Sequence, residues 1–196
     1  MSNTILYKHI VLSGGYYYKA KDGGKDFCET IARLCGKQNP VILDCLFARS
    51  DDGTERFNVD CNFFKTFIPE SKILFADDDF IDQAHSSDVI FFQGGSPRML
   101  IDKLNTFIGF EQAISDKVLV GSSGGADALV RHYAVLKKMR YDGEGLGILN
   151  IKFIPHWHSN ETEFEHVNWE SLKQKIEMYK ESIPVVCLED GQYLVF

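Results

Sequence analysis

The sequence predicts an α/β fold built on a mainly parallel central sheet. Three observations carry that expectation. Short apolar runs alternate with stretches of helical spacing, several of those runs end in Gly-rich turns, and no repeat or Pro/Gly/Ser-rich linker divides the 196 residues. Parallel strands read as short continuous apolar runs because helices cover both faces of their sheet. Residues 1–196 are therefore expected to form a single domain, long enough to bury a substantial core.

The elements follow in order. His9–Ser13 is apolar and ends at Gly14-Gly15, a strand and its turn. Phe27, Ile31 and Leu34 recur at helical spacing, with Gly36 as the stop. Val41–Phe47 is a second strand, and Cys61–Phe67 belongs to a helix. Ile73–Phe75 and Val89–Phe92 are short buried strands, the latter closed by Gly94-Gly95. Pro97 to Leu104 fits a helix with Ser96 as its N-cap and Pro97 in first position. Val118–Val120 is another strand, ending in Gly121-Ser122-Ser123-Gly124-Gly125, and Ala126 to Val130 starts a helix. Ile151–Ile154 leads into Pro155-His156-Trp157-His158. Trp169, Leu172, Ile176 and Tyr179 make a helical stripe that reads as core. Val185–Leu188 and Tyr193–Phe196 are the last two strands.

Composition removes several classes of function. Apolar residues at 44% and charged residues at 25% are ordinary for a globular protein, which sets aside disorder and fibrous structure. A net charge of −7 without a basic run argues against a nucleic-acid partner, and Lys137, Lys138 and Arg140 read as a solvated loop or helix end. No apolar run approaches the ~20 residues that span a bilayer. Met1 to Leu12 lacks the basic start, apolar stretch and cleavage site of a secretory signal. The five cysteines, Cys28, Cys35, Cys45, Cys61 and Cys187, include no Cys-x-x-Cys pair and read as small core residues of a reducing compartment. A cytoplasmic location is expected.

The strongest chemical signal is Gly121-Ser122-Ser123-Gly124-Gly125 between a strand and a helix. Gly-x-Ser-x-Gly in that context forms a nucleophile elbow, with the central serine in a strained turn and the next N–H facing a developing oxyanion. Taken alone, the motif fits equally a Gly/Ser-rich structural or phosphate-binding turn. A serine nucleophile needs a base that an acid orients. His156 follows a strand directly and His158 is its rival, while Glu189 and Asp190 follow Val185-Val186-Cys187 as candidate acids. Gly94-Gly95 offers a second source of oxyanion N–H groups or, read more plainly, a strand-to-helix turn.

These four strand-end motifs, in this order, resemble the dipeptidase E and cyanophycinase family of serine peptidases. The resemblance rests on Phe91-Phe92-Gln93-Gly94-Gly95, on Gly121-Ser122-Ser123-Gly124-Gly125-Ala126, on Gly145-Leu146-Gly147 leading to Pro155-His156, and on Leu188-Glu189-Asp190-Gly191. It implies a three-layer, class I glutamine amidotransferase-like (flavodoxin-like) sandwich. It also implies Ser123 as nucleophile, His156 as base, the N–H groups of Gly95 and Gly124 as oxyanion hole, and Asp190 as acid. The chain departs at Gly124, where the family usually carries Ala, and at Asp190, where many members carry Glu; Glu189 is the alternative acid. Amidotransferases themselves carry Cys at the elbow and a His-x-Glu downstream, so Ser123 and His158 disfavour amidotransfer.

The resemblance implies a small peptide or amide as substrate; no cofactor and no metal are expected, nor, from charge and hydropathy, a nucleic-acid or membrane partner, in a monomer or homodimer. Two other readings compete. One is a metal site on His156 and His158 with Glu161, Glu163 or His166; the other is a non-catalytic binding protein that keeps the fold. Dipeptidase E enzymes prefer an N-terminal aspartate and supply arginine after the histidine. Here Trp157 to Glu170 holds no Lys or Arg but carries Glu161, Glu163, Glu165 and Glu170. Arg98 is the one substitute cation the sequence offers for substrate binding.

Overall fold

The computed structural model describes residues 7–196. Its strands are β1 (His9–Ser13), β2 (Val41–Cys45), β3 (Lys72–Phe75), β4 (Val89–Phe92), β5 (Val118–Ser122), β6 (Val130–Val135), β7 (Arg140–Glu144), β8 (Leu149–Ile154), β9 (Val185–Cys187) and β10 (Tyr193–Val195). The helices are α1 (Lys25–Cys35), α2 (Thr54–Phe67), α3 (Phe80–His85), α4 (Pro97–Leu104), α5 (Phe110–Ala113), α6 (Gly124–Leu129) and α7 (Trp169–Met178).

The central sheet has six strands in the order β10-β1-β5-β4-β2-β3, parallel except for β10 against β1. Period-two alternation divides its side chains between two cores. Leu12, Leu43, Phe92 and Leu119 face a cluster shared with Leu100, Leu104, Phe110 and Ala126 from α4, α5 and α6. Val11, Ile42, Phe91 and Val120 face Phe27, Ile31 and Phe64 from α1 and α2. The result is the helix–sheet–helix sandwich expected. Each such side chain, fully buried, stabilises the fold by about 1.5–3 kcal/mol before entropy is counted. Helix ends follow their local chemistry: Ser96 Oγ accepts the Met99 N–H at 3.3 Å, and Gly36 ends α1 at φ 72°.

Beyond the central sheet, a second sheet has the order β7-β6-β8-β9. The helix expected over Ala126 to Val130 stops at Leu129, and the chain leaves as β6. β6 and β7 pair antiparallel around a 3₁₀ turn, Leu136–Lys138, so the basic stretch is a hairpin tip with Arg140 opening β7. β8 and β9 join this sheet rather than the central one. Leu172 and Ile176 of α7 are fully buried in its core with Ile154 and Phe164. Cys28, Cys35 and Cys45 are buried as expected, whereas Cys61 and Cys187 are only half-buried. Among the described residues no helix is long and apolar enough to cross a membrane.

The placement of β5 between β1 and β4 positions the site. Ser13 pairs with Ser122 and Phe92 with Gly121, so the turns after three parallel strands meet at one sheet edge. Ligand sites of open parallel sheets lie at this carboxyl edge.

Candidate active site

Ser123 follows β5 directly, with φ 49° and ψ −116°. A non-glycine residue in this region costs about 1–3 kcal/mol and persists only where its surroundings over-determine it. Here the Ser123 N–H donates to the Ser13 carbonyl at 3.1 Å, and the Asp127 N–H donates to the Ser123 carbonyl at 2.9 Å. The flanking glycines are demanded by close packing. A β-carbon at Gly121 would lie 2.7 Å from the Ala126 backbone, one at Gly124 2.3 Å from the Gly95 carbonyl, and one at Gly125 2.0 Å from the Phe92 carbonyl. Ser122 points into the protein and is buried, while Ser123 is partly open.

His156 stands two residues after β8, itself at φ 55° and buried. Its Nε2 lies 2.8 Å from Ser123 Oγ, and its Nδ1 lies 2.6 Å from Asp190 Oδ1. Its backbone N–H donates to the Gly14 carbonyl at 2.8 Å. Phe164 stacks on the ring at 4.7 Å between centroids, and Tyr16 tilts against it at 5.0 Å. The ring can turn little in this packing.

Asp190 sits in the turn after β9, and its other oxygen accepts from Ser159 Oγ at 2.7 Å. Burial alone would raise this carboxyl, but the hydrogen bonds from His156 and Ser159 and the nearby Lys19 charge hold it below the ordinary aspartate range. An ionised carboxylate only accepts, so Nδ1 carries the hydrogen and Nε2 offers its lone pair to the Ser123 hydroxyl.

The two rivals stand apart. Glu189 is exposed and its carboxylate faces Gln192. His158 is about half exposed, stacks on Trp157 and lies 3.5 Å from Glu170. Among the described residues no group of three or more His, Cys, Asp or Glu side chains is placed to hold a metal, so the His156/His158 metal reading has no ligand set.

Gly94 and Gly95 close the other side. A β-carbon at Gly94 would lie 3.3 Å from Ser123 Cβ, and Gly95, at φ 143°, adopts a backbone that side chains resist. Among the described residues, the N–H groups of Gly95 and Gly124 donate to no other group. Arg98 opens onto solvent from α4 with its side chain 78% exposed and pairs with Asp102 at 2.9 Å. A cavity of about 440 Å³ beside the turn is lined by Leu46, Phe47, Phe75 and Met99. The cations on its wall, Arg49 and Lys103, are already paired with Asp51 and Asp78.

Sequence reasoning missed Gly15, Tyr16, Lys19 and Ser159. Tyr16 donates to Glu163 at 2.8 Å, and Lys19 pairs with Glu161 while lying 4.1 Å over the Tyr16 ring. The Gly14-Gly15 turn was visible, but nothing local says that it packs against a histidine more than a hundred positions away.

The sequence pattern of peptidase family S51 matches residues 10–196. The chain belongs to that family. The resemblance to dipeptidase E and cyanophycinase is thus one of membership, and this S51 chain is a serine peptidase. No curated protein sequence matches it. Among solved structures it is similar to a peptidase from an acI-B1 Actinobacterium, with a TM-score of 0.69 at 20% identity over 96% of this chain and 82% of the other. At that identity the likeness carries the fold, and the two share an α/β sandwich.

Proposed function

We propose that this S51 peptidase cleaves small peptides or amides through Ser123, His156 and Asp190. The observation that carries the reading is the unbroken hydrogen-bond chain from Ser123 Oγ through His156 to Asp190. Ser123 Oγ attacks the scissile carbonyl while His156 Nε2 takes its proton. The N–H groups of Gly95 and Gly124 hold the oxygen as it becomes negative. His156 returns the proton to the leaving amine, and water then hydrolyses the acyl-enzyme by the same steps. Asp190 stays ionised and stabilises the imidazolium each time it forms.

A short substrate fits the rim. The Tyr16–Lys19 segment is tied to Glu163 and Glu161 across the face of His156, which narrows the approach on that side. Labelling with a fluorophosphonate, followed by peptide mapping, tests the nucleophile and its activation together.

A further inference from the structure

Behind the Gly94-Gly95 turn lies a buried polar network that the reaction steps leave unused. Gln93, between β4 and the glycines, is 5% exposed. Its Oε1 accepts the Gly94 N–H at 3.0 Å. Its Nε2 donates to the Tyr17 hydroxyl at 3.0 Å and to Asp60 Oδ2. Both amide hydrogens and one acceptor site are used, so the amide has a single orientation. Flipped, it would set an NH₂ group against the Gly94 N–H and a carbonyl against a carboxylate.

The partners of Gln93 are held in turn. Tyr17 donates to Asp60 Oδ1 at 2.6 Å, and Arg56 donates to Asp60 Oδ2 at 2.9 Å and pairs with Oδ1 at 2.7 Å. Arg56 also donates to the Tyr17 hydroxyl. Asp60 thus receives Tyr17, Gln93 and both arms of Arg56, which suits an ionised carboxylate with no solvent exposure. Asp44, at the end of β2, is equally buried, and both its oxygens lack a partner among the described residues. Burial, then the Asp60 charge, push its carboxyl above the ordinary range, against the opposing pull of Arg56.

Such a network is costly to bury, and a close-packed apolar filler could occupy the same volume. Its position suggests what it does. Two adjacent glycines are the most permissive backbone a turn can have. One end of this turn is fixed by the Ser96 N–H on the Ala48 carbonyl at 2.8 Å. The other end is fixed by Gln93.

We infer that Gln93, locked by Asp60, Tyr17 and Arg56, is a positioning residue that holds the Gly94-Gly95 turn where the Gly95 N–H can meet the oxyanion. The inference rests on the proposed roles of Ser123 and Gly95. Removing an oxyanion donor outright costs about 10²–10³-fold in kcat, and a donor that is present but misaimed costs less.

The test is Gln93→Met, which keeps the length of the side chain and removes its hydrogen bonds. Three quantities are compared with the wild type: kcat and KM on a small peptide amide, the affinity for a peptide aldehyde, and the affinity for the matching alcohol. The aldehyde adds Ser123 and places an anionic or strongly polarised oxygen in the hole, whereas the alcohol cannot. The expected result is a loss of about 10–100-fold in kcat with KM within about threefold. Aldehyde affinity should fall alongside kcat, and alcohol affinity should hold. Tyr17→Phe, which removes one hydroxyl from the lock, should move the same quantities in the same direction by a smaller factor. It decides the matter if Gln93→Met does not fold. Unchanged kcat in a folded Gln93→Met, or in Tyr17→Phe where only that variant folds, would overturn the inference. So would equal losses of aldehyde and alcohol affinity, which mark a merely structural network. If the wild type is not labelled at Ser123, the reading of the site itself fails first, and with it this one.

Discussion

The imidazole of His156 rests on Gly15 so closely that a β-carbon there would come within 2.1 Å of its Cε1. Gly15 is also at φ 113°, a backbone that L side chains rarely adopt. Gly15→Ala should therefore push the ring away from Ser123 Oγ. Displacing a catalytic group by about 1 Å costs on the order of 10²-fold in rate. We expect a loss of that size in kcat from a protein that remains folded by circular dichroism. Wild-type kcat in Gly15→Ala would mean that the ring has room the packing does not reveal.

The acid and base can be ranked against their sequence neighbours. His156→Ala should lower kcat by several orders of magnitude, while the half-exposed His158→Ala should change it by less than about threefold. Asp190→Asn should cost about 10⁴-fold by losing the carboxylate that fixes the Nδ1–H tautomer, and Glu189→Gln should cost little. Steady-state kinetics of the four variants checks both pairs. Greater losses from His158→Ala and Glu189→Gln would reassign the roles.

Asp127 gives a stability prediction with a definite sign. It lies on α6 just past the elbow, burial alone raises its carboxyl well above the ordinary value, and Oδ1 has no partner among the described residues. A raised carboxyl means that the native state holds a proton that the unfolded chain has released above about pH 4. Stability is thus lost as pH rises from the unfolded-state value towards the native one, by up to about 1.4 kcal/mol per pH unit. Asp127→Asn removes that titration. Its unfolding free energy, measured in urea, should gain on the wild type as pH is raised from 4. A difference independent of pH would show that the carboxyl is ionised when folded.

Substrate choice follows from the charges around the site. Trp157 to Glu170 carries four glutamates and no cation. Arg98, Arg49 and Lys103 are engaged by acids, and Lys19 is held by Glu161. A substrate carboxylate brought beside such groups is repelled, at a cost that reaches several kcal/mol when like charges are juxtaposed. We expect poor turnover of Asp-X peptides and better turnover of neutral or basic first residues. A panel of dipeptide amides differing only in the first residue checks this. A preference for aspartate that is lost in Arg98→Ala or Lys19→Met would identify the cation that serves instead.

Much of this was legible in the sequence, because the three candidate catalytic residues lie in turns that follow strands. Ser123, His156 and Asp190 sit within three positions of the ends of β5, β8 and β9, where chain order and turn chemistry mark them. The β6–β7 hairpin was not legible. Val130–Val135 is buried apart from Arg131 and the partly covered Val135, so it lacks the alternation that announces a strand. Arg140–Glu144 is a mostly exposed polar edge with little apolar pattern at all. Ser159 and Tyr16 gain meaning only from topology, through the pairing of β1 with β5 and of β8 with β9. The same holds for Tyr17, Asp60 and Gln93, three scattered polar residues in the sequence that meet in one buried knot.

The central claim is that Ser123 is an activated nucleophile, and covalent labelling tests it most directly. The wild type treated with a fluorophosphonate should gain one adduct, mapped by peptide mass spectrometry to Ser123. Ser123→Ala should gain none, and Ser122→Ala, which alters a side chain buried in β5, should label as the wild type does. An adduct on Ser122, or no adduct on a folded wild-type protein, would contradict the account.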